Sequence, residues 1–243
     1  MKNAISAAVL AVALAGGVAQ AEDVKPVHDL SFNVAAVSDY RYRGISQTRL
    51  EPALQGGADY THNPTGFYAG TWLSTIKWVE DASGSGEVEW DLYGGKRGEI
   101  GQDIAYDVGV LSYVYPSNGL HPSANTTELY GQLGYGSAYI KYSHAVTDLF
   151  GFADSKNSGY LDIGANVELT AGLVLNLHVG RQTVKNNSAF SYTDWKAGLT
   201  RDFGVLTGSI VAVGTSTDHY MGPAPGAKNL GKTALVLSVS KTF

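Results

Sequence analysis

The sequence has no cysteine, few prolines and only 16% charged residues among its 243 residues. Without cysteine, the chain cannot form disulfide scaffolds, thiolate metal sites or thiol nucleophiles, and it cannot carry lipid on an export signal. Its mean hydropathy is close to zero, which excludes a polytopic helical membrane protein, because each helical span needs about 20 consecutive apolar residues. A formal net charge of -5 argues against a nucleic-acid binder. The sequence does contain 30 glycines and 15 tyrosines, which favours β structure.

The first residues have the features of a secretory signal peptide. Lys2 provides a positive start, Ile5–Ala15 an apolar stretch, and Ala19–Ala21 a small-x-small cleavage site. We therefore expect a cleaved signal peptide at residues 1–21 and a single exported domain at residues 22–243. The alternative for the first segment is an N-terminal membrane anchor.

The exported part alternates apolar and polar residues with a period of two. In one example, Leu161, Ile163 and Ala165 alternate with Asp162 and Gly164. In a strand these two sets face opposite sides. The pattern predicts about 12 strands, within a range of 10 to 14, and no helix. The predicted strands cover residues 30–43, 53–62, 67–75, 87–97, 103–115, 126–135, 138–147, 158–169, 173–183, 192–202, 205–215 and 233–243.

Short and long connections alternate between these strands. Short ones include residues 63–66 and 170–172, and long ones include residues 76–86 and 217–232. This rhythm is typical of an outer-membrane antiparallel β-barrel with short periplasmic turns and longer extracellular loops. A soluble secreted β-sandwich or barrel is the alternative, and it would explain the alternation. It explains less well the strands of 10–13 residues, because soluble strands usually have about 5–6.

The last predicted strand ends in an aromatic residue. Leu235, Leu237, Val239 and Phe243 share one face, and Lys241 interrupts it. This ending resembles the signal recognised during bacterial outer-membrane assembly. We therefore expect the barrel-assembly machinery, outer-membrane lipid and lipopolysaccharide as partners, together with small solutes or ions. We expect no nucleic-acid partner, and no residue indicates the oligomeric state.

Six stretches spread over the exported chain closely resemble the TorF family of porins, most densely in the first third. The resemblance implies an outer-membrane β-barrel porin of a Gram-negative proteobacterium, and it indicates fold and location more firmly than the solute. The stretches are VSDYRYRGISQT at Val37–Thr48, EPALQGG at Glu51–Gly57, GFYAGTW at Gly66–Trp72, EWDLYGG at Glu89–Gly95, YDVG at Tyr106–Gly109 and VSKTF at Val239–Phe243.

Charged residues concentrate on the polar face of the predicted strands. In lipid, an Arg or Lys at the midplane costs about 2–4 kcal/mol, so we assign this face to the barrel lumen. It carries 11 acidic and five basic residues, and this excess predicts a weak preference for cations. The predicted pore-lining residues are Asp39, Arg41, Arg43, Asp59, Glu89, Asp91, Asp107, Glu128, Lys141, Asp162, Glu168, Asp194 and Lys196.

One group of these charges is close together in sequence. Asp39, Arg41 and Arg43 are two residues apart near the outer end of the first predicted strand, and Asp59 lies on the next strand. We expect a cross-strand charge network there, either as a constriction or as a latch for the first loop.

The predicted function is passive diffusion of small hydrophilic solutes or ions, without cofactor, metal or catalysis. The alternatives are a plugged lumen in which the charges pair as salt bridges, and an adhesin-like barrel whose loops bind surface partners. A lipid hydrolase is disfavoured, because none of the six histidines lies in a Ser-His motif. His178 lies on the polar face, where we expect a lumen hydrogen bond.

Overall fold

In the computed structural model, the segments with alternating apolar and polar residues form a closed barrel. The structure describes residues 26–225 and 227–243. The predicted signal peptide at residues 1–21 lies outside the described residues. The barrel strands are β1 (His28–Val37), β4 (Ala53–His62), β5 (Phe67–Thr75), β6 (Val88–Ile100), β7 (Ile104–Val114), β8 (Thr126–Tyr135), β9 (Ala138–Ala145), β10 (Gly159–Thr170), β11 (Leu173–Thr183), β12 (Tyr192–Asp202), β13 (Thr207–Thr215) and β14 (Ala234–Thr242).

All 12 of these strands pair antiparallel with their neighbours, and β1 pairs with β14 to close the barrel. At the closure, Ala36 lies opposite Val239. A separate two-stranded hairpin consists of β2 (Arg41–Tyr42) and β3 (Ile45–Ser46). The predicted fold, a 12-stranded antiparallel barrel, is confirmed.

Helical structure is minor, although the sequence pattern had predicted none. The described residues contain one short α-helix, α1 (Trp78–Asp81), and a 3-10 turn at Ser188–Phe190. Both lie in connections between strands. None of the helices in the described part of the chain is long and apolar enough to cross a membrane.

The two ends of the barrel differ in the length of their connections. The turn end has five short connections, at residues 63–66, 101–103, 136–137, 171–172 and 203–206. The loop end has six longer ones, at residues 38–52, 76–87, 115–125, 146–158, 184–191 and 216–233. In the two-residue turns, Gly136 (φ 58°) and Gly172 (φ 72°) adopt the left-handed conformation that tight hairpins require.

The two faces of the wall carry opposite kinds of side chain. Large apolar side chains are exposed on the outer face, such as Phe32, Leu54 and Leu237. The inner face carries buried polar residues, such as Glu89 and Asp194. An apolar outer band around a polar interior is the arrangement of a transmembrane β-barrel, because the outer band meets lipid and strand pairing satisfies the backbone.

The first strand is shorter than predicted. It ends at Val37, whereas the alternation had predicted a strand over residues 30–43. Residues 38–52, here called the inner loop, turn into the barrel and form the β2–β3 hairpin with Arg43 and Gly44 at its tip. The alternation continued past the wall because a hairpin is also extended, so the pattern alone does not distinguish the two.

Candidate functional site: the lumen and its inner loop

The tip of the inner loop reaches across the lumen. The Arg43 guanidinium donates to Glu128 Oε2 on β8 (2.6 Å) and to Gln182 Oε1 on β11 (2.6 Å). It also lies 4.2 Å from the ring centre of Tyr160 on β10. The side chains of Arg43 and Glu128 are only 7% and 2% exposed. The loop that begins at β1 is therefore fixed to three strands far from it in the sequence.

The base of the inner loop is held by a second ion pair. The Asp39 carboxylate accepts hydrogen bonds from the guanidinium of Arg41 and from the hydroxyl of Ser46. Arg41 also donates to the backbone carbonyls of Leu230 (3.0 Å) and Lys232 (3.1 Å), in the loop before β14. These contacts close the hairpin on itself and attach it to the loop that leads into β14, next to the barrel closure.

Tyrosines attach the inner loop to the remaining side of the wall. Tyr40 donates to Glu89 Oε1 on β6 (2.7 Å), and Tyr115, just beyond β7, donates to Glu89 Oε2 (3.0 Å). Tyr42 donates to the Tyr113 hydroxyl on β7 (2.7 Å). The inner loop thus occupies part of the loop-end half of the lumen as a polar, hydrogen-bonded segment.

Acidic groups gather around this segment. Asp91 on β6 is fully buried, and neither of its carboxylate oxygens has a hydrogen-bond partner within the described residues. Oε1 of Glu128 is likewise buried without a partner in that part of the chain. Arg43 is the base that contacts Glu128, so within the described residues Asp91 has neither a cation nor a hydrogen-bond donor beside it.

In the turn-end half, charges lie along the wall. Tyr68 donates to Asp107 (2.6 Å) and Tyr93 donates to Asp59 (2.6 Å), both between strands that are two apart. The Lys141 ammonium lies 4.1 Å from the ring centre of Tyr130 on the adjacent strand. These contacts do not cross the lumen, so this half keeps its charges against the wall.

Arg97 completes the turn-end set. Its guanidinium donates to Thr61 Oγ1 (2.9 Å) and lies 4.6 Å from the ring centre of Tyr68. Glu168 lies near the turn at residues 171–172 and is exposed. Both charges are therefore near the mouth at the turn end.

His178 on β11 forms the predicted hydrogen bond in the lumen. Its Nδ1 lies 2.7 Å from Asp162 and its Nε2 lies 2.7 Å from Asp194. Because carboxylates accept hydrogen bonds, both ring nitrogens donate and the ring carries a positive charge. Lys196 lies opposite His178 on β12. Within the described residues, no group of three or more Asp, Glu, His or Cys side chains could hold a metal ion.

Ten of the 13 predicted lining residues lie on barrel strands, and the other three are in a different place. Asp39, Arg41 and Arg43 belong to the inner loop rather than to the wall. The predicted network between them and Asp59 is wrong, because Asp59 bonds with Tyr93 and the inner-loop charges pair with each other and with Glu128. A role of all 13 in lining a conducting path stays a prediction.

One feature of the loop end was not predicted at all. A cavity of about 460 Å³ lies at the loop end, with Tyr42, Ile45 and Gln47 of the inner loop among its lining residues. The other lining residues come mostly from the long loops and are rich in aromatic rings. The one sign of this cavity in the sequence is the presence of aromatic residues, such as Trp78 and Phe150, in the predicted loops.

Comparison with known proteins gives a family and a fold. A family model described as "Bacterial protein of unknown function (Gcw_chp)" matches residues 20–243. No curated protein matches the sequence. The barrel is similar to a KdgM porin, with a TM-score of 0.58 and 6% identity over 88% of this chain and 99% of that chain.

A second solved structure, from work on the in-meso crystallization of membrane proteins, has a TM-score of 0.53. Its sequence is 9% identical over 88% of this chain and 83% of that chain. At sequence identities this low, the similarity to both structures shows the fold alone.

Proposed function

The chain belongs to the Gcw_chp family of bacterial proteins of unknown function, and we propose that it is an outer-membrane channel for passive diffusion of small hydrophilic solutes or ions. A closed barrel with an apolar outer face and a charged interior supports the proposal. The barrel shared with a KdgM porin and the resemblance to TorF porins support it further. Passive diffusion needs neither a cofactor nor a catalytic residue.

The proposed location is the outer membrane. The signal-peptide pattern at residues 1–21 supports export, and the final strand with Phe243 supports recognition by the barrel-assembly machinery. On this proposal the long loops face the outside of the cell and the short turns face the periplasm. Lipopolysaccharide and lipid then surround the outer face.

The observation that carries the proposal is the inner loop inside a charged lumen. A segment anchored by Arg43 to Glu128 and Gln182 narrows the path at the loop end without removing the polar wall of the turn-end half. We therefore assign the inner loop as the constriction. Solutes that pass it must be small and hydrated, because its surroundings are polar and charged.

A weak preference for cations is the finer part of the proposal. Glu89, Asp91 and Glu128 lie near the constriction, and Arg43 is the base that meets them from the inner loop. Acidic side chains near a narrow passage favour cations over anions, because water screens charges poorly there.

The test is the reversal potential of refolded protein in a planar bilayer under a salt gradient. We expect a reversal potential of the sign that cation flow produces. We expect Glu89→Gln to move it toward zero, because the hydroxyl donors of Tyr40 and Tyr115 favour the charged form of Glu89. The matched control is Asp103→Asn, which removes the same charge from an exposed turn and leaves the potential unchanged. An anion preference would contradict the selectivity, and no conductance in either wild type or variants would contradict the channel.

A second candidate is a non-conducting barrel with a structural or adhesin-like role. It is favoured by the burial of the inner loop, where Ser46 is 0% and Thr48 is 2% exposed. The channel and the non-conducting barrel predict different conductances for the wild-type protein. A channel conducts with the loop in place, whereas a plugged barrel is silent until the loop is released.

A further inference from the structure

The cavity at the loop end has the size and lining of a small-molecule site. Its volume of about 460 Å³ falls within the range of roughly 300–1,000 Å³ that ligand pockets occupy. Its lining includes two groups of aromatic side chains. We call them the first wall, formed by Trp78, Tyr115 and Phe150, and the second wall, formed by Phe190, Tyr192 and Tyr220.

Both walls are packed internally. In the first wall, Trp78 meets Tyr115 edge to face, with ring centres 5.0 Å apart. In the second wall, Tyr220 meets Phe190 at 5.7 Å and Tyr192 at 5.3 Å, again edge to face. Because each ring is held by its neighbours, the walls are formed before a ligand arrives, and binding costs little ordering of side chains.

One hydrogen-bond donor in the first wall is unpaired. The indole N–H of Trp78 is buried and has no partner within the described residues. Buried donors are almost always paired in folded proteins, because leaving one unpaired is destabilising. Because the Trp78 side chain lines the cavity, a small rotation of the indole would bring this N–H to an acceptor atom on a bound molecule.

Among the described residues, no unpaired carboxylate lines the cavity. Asp81 is the one carboxylate among its described lining residues, and Arg49 neutralises it through two hydrogen bonds. That pairing raises the pKa of Arg49, through the hydrogen bond with Asp81. No lysine or arginine lines the described part of the cavity. A charged ligand would lose its hydration here without gaining a partner of opposite sign.

We propose that this cavity binds a small, uncharged aromatic molecule that carries a hydrogen-bond acceptor. The ring lies between the two walls, and the acceptor takes the hydrogen bond of the Trp78 indole. The remaining lining mixes aliphatic side chains with polar ones, and the polar side chains of Ser46, Gln47 and Gln182 already donate hydrogen bonds within the protein. Because these donors are already used, they are not free to pair the several hydroxyls of a sugar, which is why we choose an aromatic ligand.

This binding does not require conduction, so its test is separate from that of the channel. Full-length mature protein in detergent micelles is titrated with acetophenone, which is uncharged and carries one carbonyl acceptor, and binding is followed by saturation-transfer NMR. We expect saturable binding by wild type. Trp78→Phe should weaken it about 2- to 10-fold, which is the range of one net hydrogen bond. Phe150→Ala should weaken it at least as much, because part of the first wall is lost.

The matched control is Trp90→Phe, because Trp90 is on the outer face, where it donates to Thr71. This variant should bind acetophenone like wild type, which also corrects for partition of the probe into the micelle. Equal binding by Trp78→Phe and Trp90→Phe would overturn the proposal. Tighter binding of benzoate or of glucose than of acetophenone would overturn it as well, the first against the uncharged ligand and the second against the aromatic one.

Discussion

The loop-end and turn-end halves of the lumen share the same wall strands but hold their charges differently. At the loop end, the Arg43–Glu128 pair crosses the lumen and is almost completely buried. At the turn end, Asp59 and Asp107 bond with tyrosines along the wall. The difference shows that the inner loop supplies Glu128 with a cation from across the lumen. Glu128 therefore depends on a partner from another segment, whereas Asp59 and Asp107 depend on wall strands close to their own.

The largest expected effect is that of Arg43→Ala. The substitution leaves Glu128 buried without its cation, and breaking a buried pair in this way costs about 3–5 kcal/mol. We expect a loss of this size in the free energy of unfolding, measured by denaturant titration of the protein in micelles. Release of the inner loop would lower the figure by letting water reach Glu128, and proteolysis within residues 38–52 would detect it.

The matched control is Arg97→Ala in the turn-end half. Arg97 donates to Thr61 and stacks on Tyr68, both on the wall. We expect a loss of about 1 kcal/mol, which is the net value of an ordinary hydrogen bond. If Arg43→Ala and Arg97→Ala reduced the free energy of unfolding equally, the proposed difference between the two halves of the lumen would be wrong.

A smaller effect is expected for Gly44→Ala at the tip of the inner loop. Gly44 has φ 81°, and an added Cβ would lie 2.5 Å from Thr215 Cγ2 and 2.8 Å from Asp194 Cβ. Backbone strain of about 1–2 kcal/mol and overpacking of about 1–3 kcal/mol together predict a loss of about 2–5 kcal/mol in the free energy of unfolding.

The corresponding position at the turn end is Gly136, which has φ 58° and open space around its added Cβ. Gly136→Ala should therefore lose only the strain component, about 1–2 kcal/mol. A loss as large as that of Gly44→Ala would mean that the tip of the inner loop is not confined by the wall.

The smallest effect is expected at the exposed base of the inner loop. The hydrogen bond from Lys77 lowers the pKa of Glu51. A carboxyl group with a lowered pKa adds stability above its unfolded pKa and loses it as the pH falls through the folded value. Both side chains are exposed, so solvent screens the pair. Glu51→Gln should therefore lower the melting temperature only slightly at pH 7 and leave it unchanged at pH 3, as followed by circular dichroism. A larger decrease at pH 3 than at pH 7 would contradict this sign.

The sequence alone predicts the wall of this barrel closely. The predicted strands at residues 53–62 and 173–183 match β4 and β11 residue for residue. This is because a wall strand has lipid on one side and a polar lumen on the other, and the period of two records both. The same pattern fails beyond Val37, where an extended hairpin replaces the wall strand.

The contacts within the lumen could not be predicted in the same way. Arg43 and Glu128 are 85 residues apart in the chain, and local alternation contains no information about whether a loop turns inward. The aromatic cavity has the same origin, because Trp78, Phe150 and Tyr220 come from three separate loops. The sequence shows an aromatic residue in each loop, but only the closed barrel brings the three together.

Single-channel conductance of wild type, Arg43→Ala and Arg97→Ala in planar bilayers tests most directly whether the inner loop constricts the lumen. Each variant is first shown to have refolded, by the fact that it stays folded in detergent until it is heated. We expect a low conductance for wild type, a conductance several-fold higher for Arg43→Ala, and a wild-type value for Arg97→Ala. Equal conductance of wild type and Arg43→Ala, or an increase confined to Arg97→Ala, would contradict this expectation.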